Sequence, residues 1–391
     1  MKAAIAGFLT LAVALTPVGA RAEETPAHQD SSRPEVSLLQ PGGPVAQLGA
    51  AMLDAGALAR PGGMYFSLST GASVFTGRRN FVFGNEIPVA GPGPLGQSFS
   101  YDLGGTGIGA SGTLGYWLRD WLALEASLSG AYHSAGSQQG CVAPQQSPGT
   151  ANLLLIPLIK GGLATTPIFR CDLTDTQFQS RFDYSQGLID AHLDARVVLW
   201  RSSDRRSEVD AVGGIAYLNS NQNLSQTASG ITAGIPTPIN KLTTDIGIGD
   251  NLAGLRLGLR ARQQLGPALT LVGSLLGDFY GRTSTLQATQ TGTNVNLSFG
   301  TTTPALSLFK SDNSRGFVPR LEASVALNYD LNDSWSLGLF YKFDGLWNMT
   351  SPGNQSVFCA FNYCATNRDM SIMPGDNQYI HSVGVGVTGR F

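Results

Sequence analysis

From Met64 onward, apolar and small or polar residues alternate with period two, the mark of strands that present one face to an apolar medium. Met64, Phe66, Leu68, Ala72 and Val74 share one face, and Ser67, Ser69, Gly71 and Ser73 the other. The alternation recurs in pairs joined by very short turns. Ile108, Ala110, Leu114, Tyr116 and Leu118 lead through Arg119-Asp120 into Leu122, Leu124, Ala126 and Leu128. Pairing Leu118 with Leu122 sets Tyr116 against Leu124 and Leu114 against Ala126, which keeps the apolar faces in register. The pattern predicts ten strands, at about 64–75, 97–118, 121–133, 177–201, 207–220, 251–265, 268–282, 317–331, 335–349 and 378–391.

The connections alternate too. Short turns near 120, 204, 267 and 333 fall at one end, and long segments near 76–96, 134–176, 221–250, 283–316 and 350–377 at the other. An even strand number with this asymmetry predicts an all-β, transmembrane, antiparallel up-and-down β-barrel with short periplasmic turns and long extracellular loops. Asn294–Phe309 alternates enough to extend a hairpin beyond the membrane, so 8 or 12 strands also fit. Aromatic residues fall in two bands. Tyr116, Trp117, Trp121, Trp200, Tyr329, Trp335 and Phe391 lie near the short turns, and Tyr132, Tyr217, Phe279, Tyr341, Phe343 and Tyr379 near the long loops. Two girdles at the lipid interfaces are what a spanning barrel favours.

Composition agrees. Only 13% of residues are charged and Gly numbers 49, against about 25% charged residues in soluble domains. The N-terminus, Met1-Lys2 followed by an apolar run to Ala20 and then Ala20-Arg21-Ala22, reads as a signal peptide over residues 1–22. Thr10, Thr16 and Pro17 interrupt the run and argue against a membrane anchor. Residues 23–62 read as a periplasmic segment or a plug, and 63–391 as the barrel. The formal charge of −2 becomes about −4 once Lys2 and Arg21 are removed with the signal, so nothing points to nucleic acid. Cys141, Cys171, Cys359 and Cys364 fall in predicted loops of an exported chain and are disulfide candidates, with three pairings available. Neither nearest pair is CxxC, which disfavours a metal site; no metal and no cofactor are expected.

The polar set inside the barrel supplies the candidate chemistry. Asp190, His192, Asp194, Arg196, Arg256, Arg260, Arg262, Asp278, Arg282, Arg320 and Glu322 are the predicted lumen-facing charges, with Glu125 and Asp210 of the same parity. If Leu265 opposes Leu269 across Gly266-Pro267, Arg256 faces Asp278 as a cross-strand ion pair. Two readings stay open: mutual neutralisation that fills a narrow lumen, or a charged constriction that selects small solutes. Asp190, His192 and Asp194 share a strand face, but alternate residues lie about 7 Å apart. A catalytic Asp–His dyad would then need a carboxylate from a neighbouring strand. His133 or His381 could serve a Ser–His hydrolase by position, without a supporting motif. No enzyme is expected.

Asp183-Tyr184 leading into Leu188-Ile189-Asp190-Ala191-His192-Leu193-Asp194, with Gly213-Gly214-Ile215-Ala216-Tyr217, resembles the Legionella-type pore-forming outer-membrane protein family. The block Gly254-Leu255-Arg256-Leu257-Gly258-Leu259 with Leu275-Leu276-Gly277 and Gly281-Arg282 is similar as well. The resemblance covers about half the chain, does not extend to the first loop or the cysteines, and implies a pore or an abundant surface protein without catalytic residues. The expected role is therefore passage of small solutes or envelope architecture in a Gram-negative outer membrane. The alternative is a surface adhesin acting on host molecules through its long loops. Expected partners are outer-membrane lipid, lipopolysaccharide and the barrel-assembly machinery, for which Phe391 is the assembly signal.

Overall fold

A computed structural model describes residues 62–77, 80–88, 98–140, 152–155, 168–171, 179–230, 240–297, 301–352 and 374–391. The signal peptide and nearly all of the 23–62 segment lie outside them, as do Cys141, Cys359 and Cys364; of Cys171 only the backbone is described. The strands are β1 (Met64–Thr76), β2 (Phe81–Pro88), β3 (Ser98–Tyr101), β4 (Gly105–Arg119), β5 (Leu122–Gly140), β6 (Asn152–Leu155) and β7 (Ile168–Cys171). They continue as β8 (Gln179–Arg201), β9 (Ser207–Gly230), β10 (Asn240–Gln264), β11 (Leu269–Leu297), β12 (Thr301–Asp330), β13 (Trp335–Thr350) and β14 (Pro374–Arg390).

Ten of these close a ring in the order β1-β14-β13-β12-β11-β10-β9-β8-β5-β4, antiparallel throughout. Chain neighbours sit side by side, and β1 meets β14 to seal the seam. Phe391 N donates to the Met64 carbonyl at 2.9 Å, and Met64 N returns the bond to the Phe391 carbonyl at 3.1 Å. Closure removes the unpaired edges that lipid cannot solvate. The short turns have local causes. Ser202 Oγ accepts from Ser207 N at 2.9 Å and Asp204 Oδ1 accepts from Arg206 N at 3.2 Å, while Arg205 takes a positive φ of 58°. Asn332 Oδ1 accepts from both Ser334 N and Trp335 N at 2.9 Å, a side chain closing its own turn.

Several boundaries differ from expectation. The strand predicted over 97–118 divides at 102–104, and its first part, β3, joins a separate four-stranded sheet, β3-β2-β6-β7, built from the first two long loops. The segments 221–250 and 283–316, predicted as loops, instead continue β9–β12 as hairpins far above the ring. At the first short turn Arg119, not Leu118, pairs with Leu122 across an irregularity, though Tyr116–Leu124 and Leu114–Ala126 hold.

The long strands carry an inversion that marks the membrane. On β10 the outward residues Leu255, Leu257 and Leu259 are exposed, while Arg256, Arg260 and Arg262 point inward and are buried. Residues 253–261 cover about 23 Å at about 3.3 Å per residue and about 40° of tilt, close to the apolar height of outer-membrane barrels. Past Ala253 the polarity swaps without a change of parity. Leu252, Ile248, Ile246 and Leu242 now face inward and are buried, and Asn251, Asp245 and Lys241 face outward. The strand thus faces lipid for part of its length and water beyond it. Trp117 also departs from the girdle prediction: it is buried in the lumen, whereas Tyr116, Trp121, Trp200, Tyr329 and Trp335 are exposed outside.

Above this level β5 and β8–β12 continue, and among the described residues β1, β4, β13 and β14 do not. The inner face of the extension is lined by Phe182, Tyr184, Leu224, Leu242, Ile246, Ile248 and Leu286, and Phe81, Tyr101 and Leu103 from the first loop pack onto it. Tyr101 stacks on Phe182 with centroids 4.4 Å apart and donates to the Ser180 carbonyl at 2.9 Å. Burial raises the Tyr101 phenol above its ordinary pKa. The loop end is therefore filled by a conventional apolar core.

Candidate functional site

Below that core, side chains from β1, β4, β5 and β8–β13 converge in the lumen as two ion-pair clusters. Alternation on each strand aims every second residue inward, and the register decides which ones meet. Arg256 pairs with Asp278 in the β10–β11 ladder, and Leu265 N donates to the Leu269 carbonyl at 2.8 Å, as the turn predicted.

The cluster nearer the short turns centres on Glu125 and Arg196. Arg260 grips Glu125 through two bonds, Nη1–Oε1 at 2.9 Å and Nη2–Oε2 at 3.2 Å. Arg196 Nη1 adds a third at 3.3 Å, and the Tyr65 hydroxyl donates to the same carboxylate. Arg196 also holds Asp210 through Nε at 2.5 Å and Glu208 at 3.5 Å, with its guanidinium carbon 5.1 Å from the Trp117 ring centroid. Such a stack suits arginine, whose planar, weakly hydrated cation tolerates an aromatic face. Arg262 approaches Glu208 at 3.9 Å, and Arg201 closes the rim on Glu208 at 2.5 Å.

The second cluster centres on Arg320 and Arg256. Arg320 reaches Asp190 at 2.6 Å, Asp344 at 2.7 Å, and both Asp278 and Glu322 at 3.2 Å. Arg256 reaches Asp278 at 2.8 Å, Glu322 at 2.9 Å and Asp194 at 3.9 Å. Lys342 lies 3.2 Å from both Glu322 and Asp344, and Tyr280 donates to Asp278 at 3.2 Å. Asp194 is accommodated because its neighbour across the ladder is Gly214; a Cβ there would overlap the Asp194 carboxylate. His192 Nε2 lies 2.9 Å from Asp190 Oδ2. That corrects the expectation that two residues on one strand face stay too far apart: their Cα spacing is long, but the side chains lean together across it.

All eleven predicted lumen charges are buried, and ten of them join these clusters. Arg282 does not. It sits one level higher, donates to the Asn348 carbonyl, and occupies the space left by Gly316. Tyr65, Trp117, Glu208, Tyr280, Lys342 and Asp344 belong to the clusters as well and were not anticipated. Lys342 and Asp344 share parity with each other and oppose the apolar row Leu337, Leu339, Tyr341, so their inward aim was available from the alternation. The histidines considered for hydrolase chemistry lie elsewhere. His133 is buried between Phe75 and Tyr184, and His381 sits on the outer face, 2.8 Å from the Tyr341 hydroxyl.

With charge so dense, the lumen is closed at this level. Arg256 is 0% exposed and Glu125 1%, so solvent reaches them from neither end. A barrel of this size has little room once its side chains are placed. Among the described residues a cavity of about 40 Å³ lies beside Asp190, Arg320, Lys342 and Asp344, with Ser73, Ser129 and Ser382 in its wall. It has room for a few water molecules.

No family model matches the chain, and no curated protein matches its sequence. Solved structures do match in shape. The outer-membrane protease OmpT from Escherichia coli is 9% identical at a TM-score of 0.44, over 85% of this chain and 97% of that chain. A major outer membrane protein from Thermus thermophilus is 14% identical at 0.26, over 84% and 99%. CarO from Acinetobacter baumannii is 11% identical at 0.20, over 81% and 95%. Likeness at this level carries nothing about activity. The closed antiparallel ring rests on the chain's own strand pairing, and the narrower resemblance to the Legionella-type family gains no support.

Proposed function

We propose that the protein is a Gram-negative outer-membrane barrel that is shut at rest and serves the envelope by anchoring its tall extracellular hairpins in the outer leaflet. The observation that carries this reading is the lumen itself: side chains from opposite walls meet as buried ion pairs, with an apolar core stacked above them. The N-terminus lies in the periplasm and the long loops outside, against lipopolysaccharide. The exposed outer residues of the extension, among them Asn221, Asn223 and Gln287, form the polar surface such a setting requires.

Porin-like passage of small solutes is the second reading, favoured by the polar nature of the seal. Ion pairs exchange partners with water more readily than a packed apolar plug does, so the clusters can act as a gate. Planar-bilayer recording of the purified barrel separates the two. The resting reading expects silence for the native protein and for the Arg256→Ala, Arg320→Ala double variant, because the apolar core above the clusters still fills the loop end, whereas a gate made of the ion pairs alone opens in that variant. Stable ohmic steps from the native protein at low voltage would reject a barrel shut at rest.

A further inference from the structure

The outer face of the extension carries a trough that the lumen does not explain. Two cross-strand rows build it. One pairs Asp183 with Ser225, Ser225 with Asp245, Asp245 with Thr289 and Thr289 with Phe309. The row beneath it pairs Asn223 with Gly247 and Gly247 with Gln287. Alternation turns all of these outward. They line a trough of about 640 Å³ that ends at Tyr132 on β5 and at Phe309 on β12. The strand order puts five intervals between those two strands, so at about 4.8 Å each the trough runs about 24 Å along the sheet.

Its chemistry is specific. Phe309 is 55% exposed and stands beyond Phe317, the exposed ring of β12 level with Ala253 at the membrane edge. Eight residues at about 3.3 Å and about 40° of tilt place it about 20 Å above that edge, where no lipid tail covers a bare phenyl ring. Among the described residues Asn223, Asp245, Gln287 and Thr289 are exposed and spend no side-chain hydrogen bond on a neighbour. The polar residues just below behave differently: Tyr217, Asn219, Asn221 and Asn251 tie one another into a ladder. Gly247 keeps the floor open, since a Cβ there would meet nothing closer than 3.7 Å. No Lys or Arg lines the trough, and the charge of Asp183 is engaged by Arg181 at 2.9 Å.

We propose that this trough binds a neutral oligosaccharide, the sugar core of the lipopolysaccharide beside the barrel. Amides, a carboxylate and hydroxyls match the mixed donors and acceptors of sugar hydroxyls, and an exposed ring at each end offers an apolar face to the C–H side of a sugar ring. A phosphate group would find no cation here, and an acyl chain would leave the polar floor unpaired. A peptide adding as a strand needs a free edge, whereas β8–β11 are paired on both sides at this level. The occupant is set by continuity with the lipid face. Tyr132 belongs to the outer aromatic band and is 49% exposed, so a glycolipid seated in the outer leaflet against it carries its sugars directly into the trough. The assignment rests on the reading that the hairpins stand outside the membrane within the lipopolysaccharide layer.

The test uses the full mature barrel in detergent and a lipid-free core oligosaccharide, released from lipopolysaccharide by mild acid and dephosphorylated. Saturation-transfer NMR should show contact from the barrel to the sugar protons. Titration should show at least about tenfold weaker binding in Gly247→Tyr, which fills the floor, and in Phe309→Ala, which removes a ring. Thr291→Tyr, on the same outer face beyond the trough, should bind as the native barrel does. All three positions are at the surface, and heat-shifted gel mobility verifies that each variant is folded. Absence of transfer, equal affinity in Gly247→Tyr and Phe309→Ala, or preference for a lactose-terminated host-type glycan over the core would overturn the proposal. Bilayer recording on the same preparation keeps the two readings separate: a conducting barrel that binds the sugar fails the resting reading alone, and a silent barrel that does not bind fails this one alone.

Discussion

Replacing Arg320 with methionine tests the weight carried by the lumen. Methionine keeps the length and apolar volume of the stem but removes the cation that touches Asp190 at 2.6 Å, Asp344 at 2.7 Å, and Asp278 and Glu322 at 3.2 Å. Arg256 and Lys342 are then the cations left beside Asp190, Asp194, Asp278, Glu322 and Asp344, in a buried setting that screens charge poorly. Removing one partner of a buried pair costs about 3–5 kcal/mol, and four carboxylates lose a partner here. That corresponds to about a few hundred- to a few thousand-fold in the folding equilibrium. Urea unfolding of the barrel in detergent, followed by tryptophan fluorescence and heat-shifted gel mobility, measures it. Asp344→Asn in the Arg320→Met background should recover about 1–2 kcal/mol, because the pair is directly coupled. Arg206→Met, whose partner Asp204 is 3.8 Å away in an exposed turn, should change nothing measurable. An Arg320→Met barrel within about 0.5 kcal/mol of native would mean that the clusters are hydrated in solution and contribute little.

Further predictions address the lipid face, the ladder and the seam. Leu257→Lys, in the middle of the outward apolar row, should cost about 2–4 kcal/mol in lipid vesicles, whereas Gln287→Lys on the polar extension should be neutral; equal effects would misplace the membrane. Gly214→Val forces a side chain onto Asp194 and the Leu193 carbonyl and should cost about 1–3 kcal/mol, with native-like stability counting against the tight approach. Deleting Phe391 removes a ring stacked on Phe66 at 5.8 Å and set edge-on to Trp335 at 6.5 Å, along with the bonds to Met64. Assembly in cells should fall sharply, and unchanged heat-modifiable barrel in the outer membrane would show that the terminal residue is no assembly signal.

How much was legible depends on where the solvent is the same along a strand. Inside the apolar band, period two, short turns and parity specify the ring order, the Arg256–Asp278 pair and the identity of the lumen charges. Above it the rule inverts: Leu252, Ile248 and Leu242 share parity with Arg256, and the outward row turns to Asn251 and Asp245. Following one apolar face therefore ends each strand where the membrane ends, which is why residues 221–250 and 283–316 were expected as loops. Trp117 was misplaced because an aromatic near a turn suits a girdle as well as a cation–π seat, and only the position of Arg196 decides between them. The distance between His192 and Asp190 was inferred from backbone spacing, which does not report side-chain lean. Lys342 and Asp344 were legible from parity alone, since each alternates with the apolar row of β13.

The claim that the membrane-level lumen is filled can be read one position at a time on β11. Single cysteines are introduced in the background lacking native cysteines, and a membrane-impermeant maleimide is applied to the barrel in vesicles. Substitutions at Thr285, Gln287, Thr289 and Thr291 should be modified quickly, since these residues are exposed outside the membrane. Substitutions at Leu271, Leu275 and Phe279 should be shielded by lipid, and those at Val272, Leu276 and Tyr280 shielded by the packed lumen. Modification at Val272, Leu276 and Tyr280 as fast as at Gln287 would reveal an open aqueous path and contradict the account.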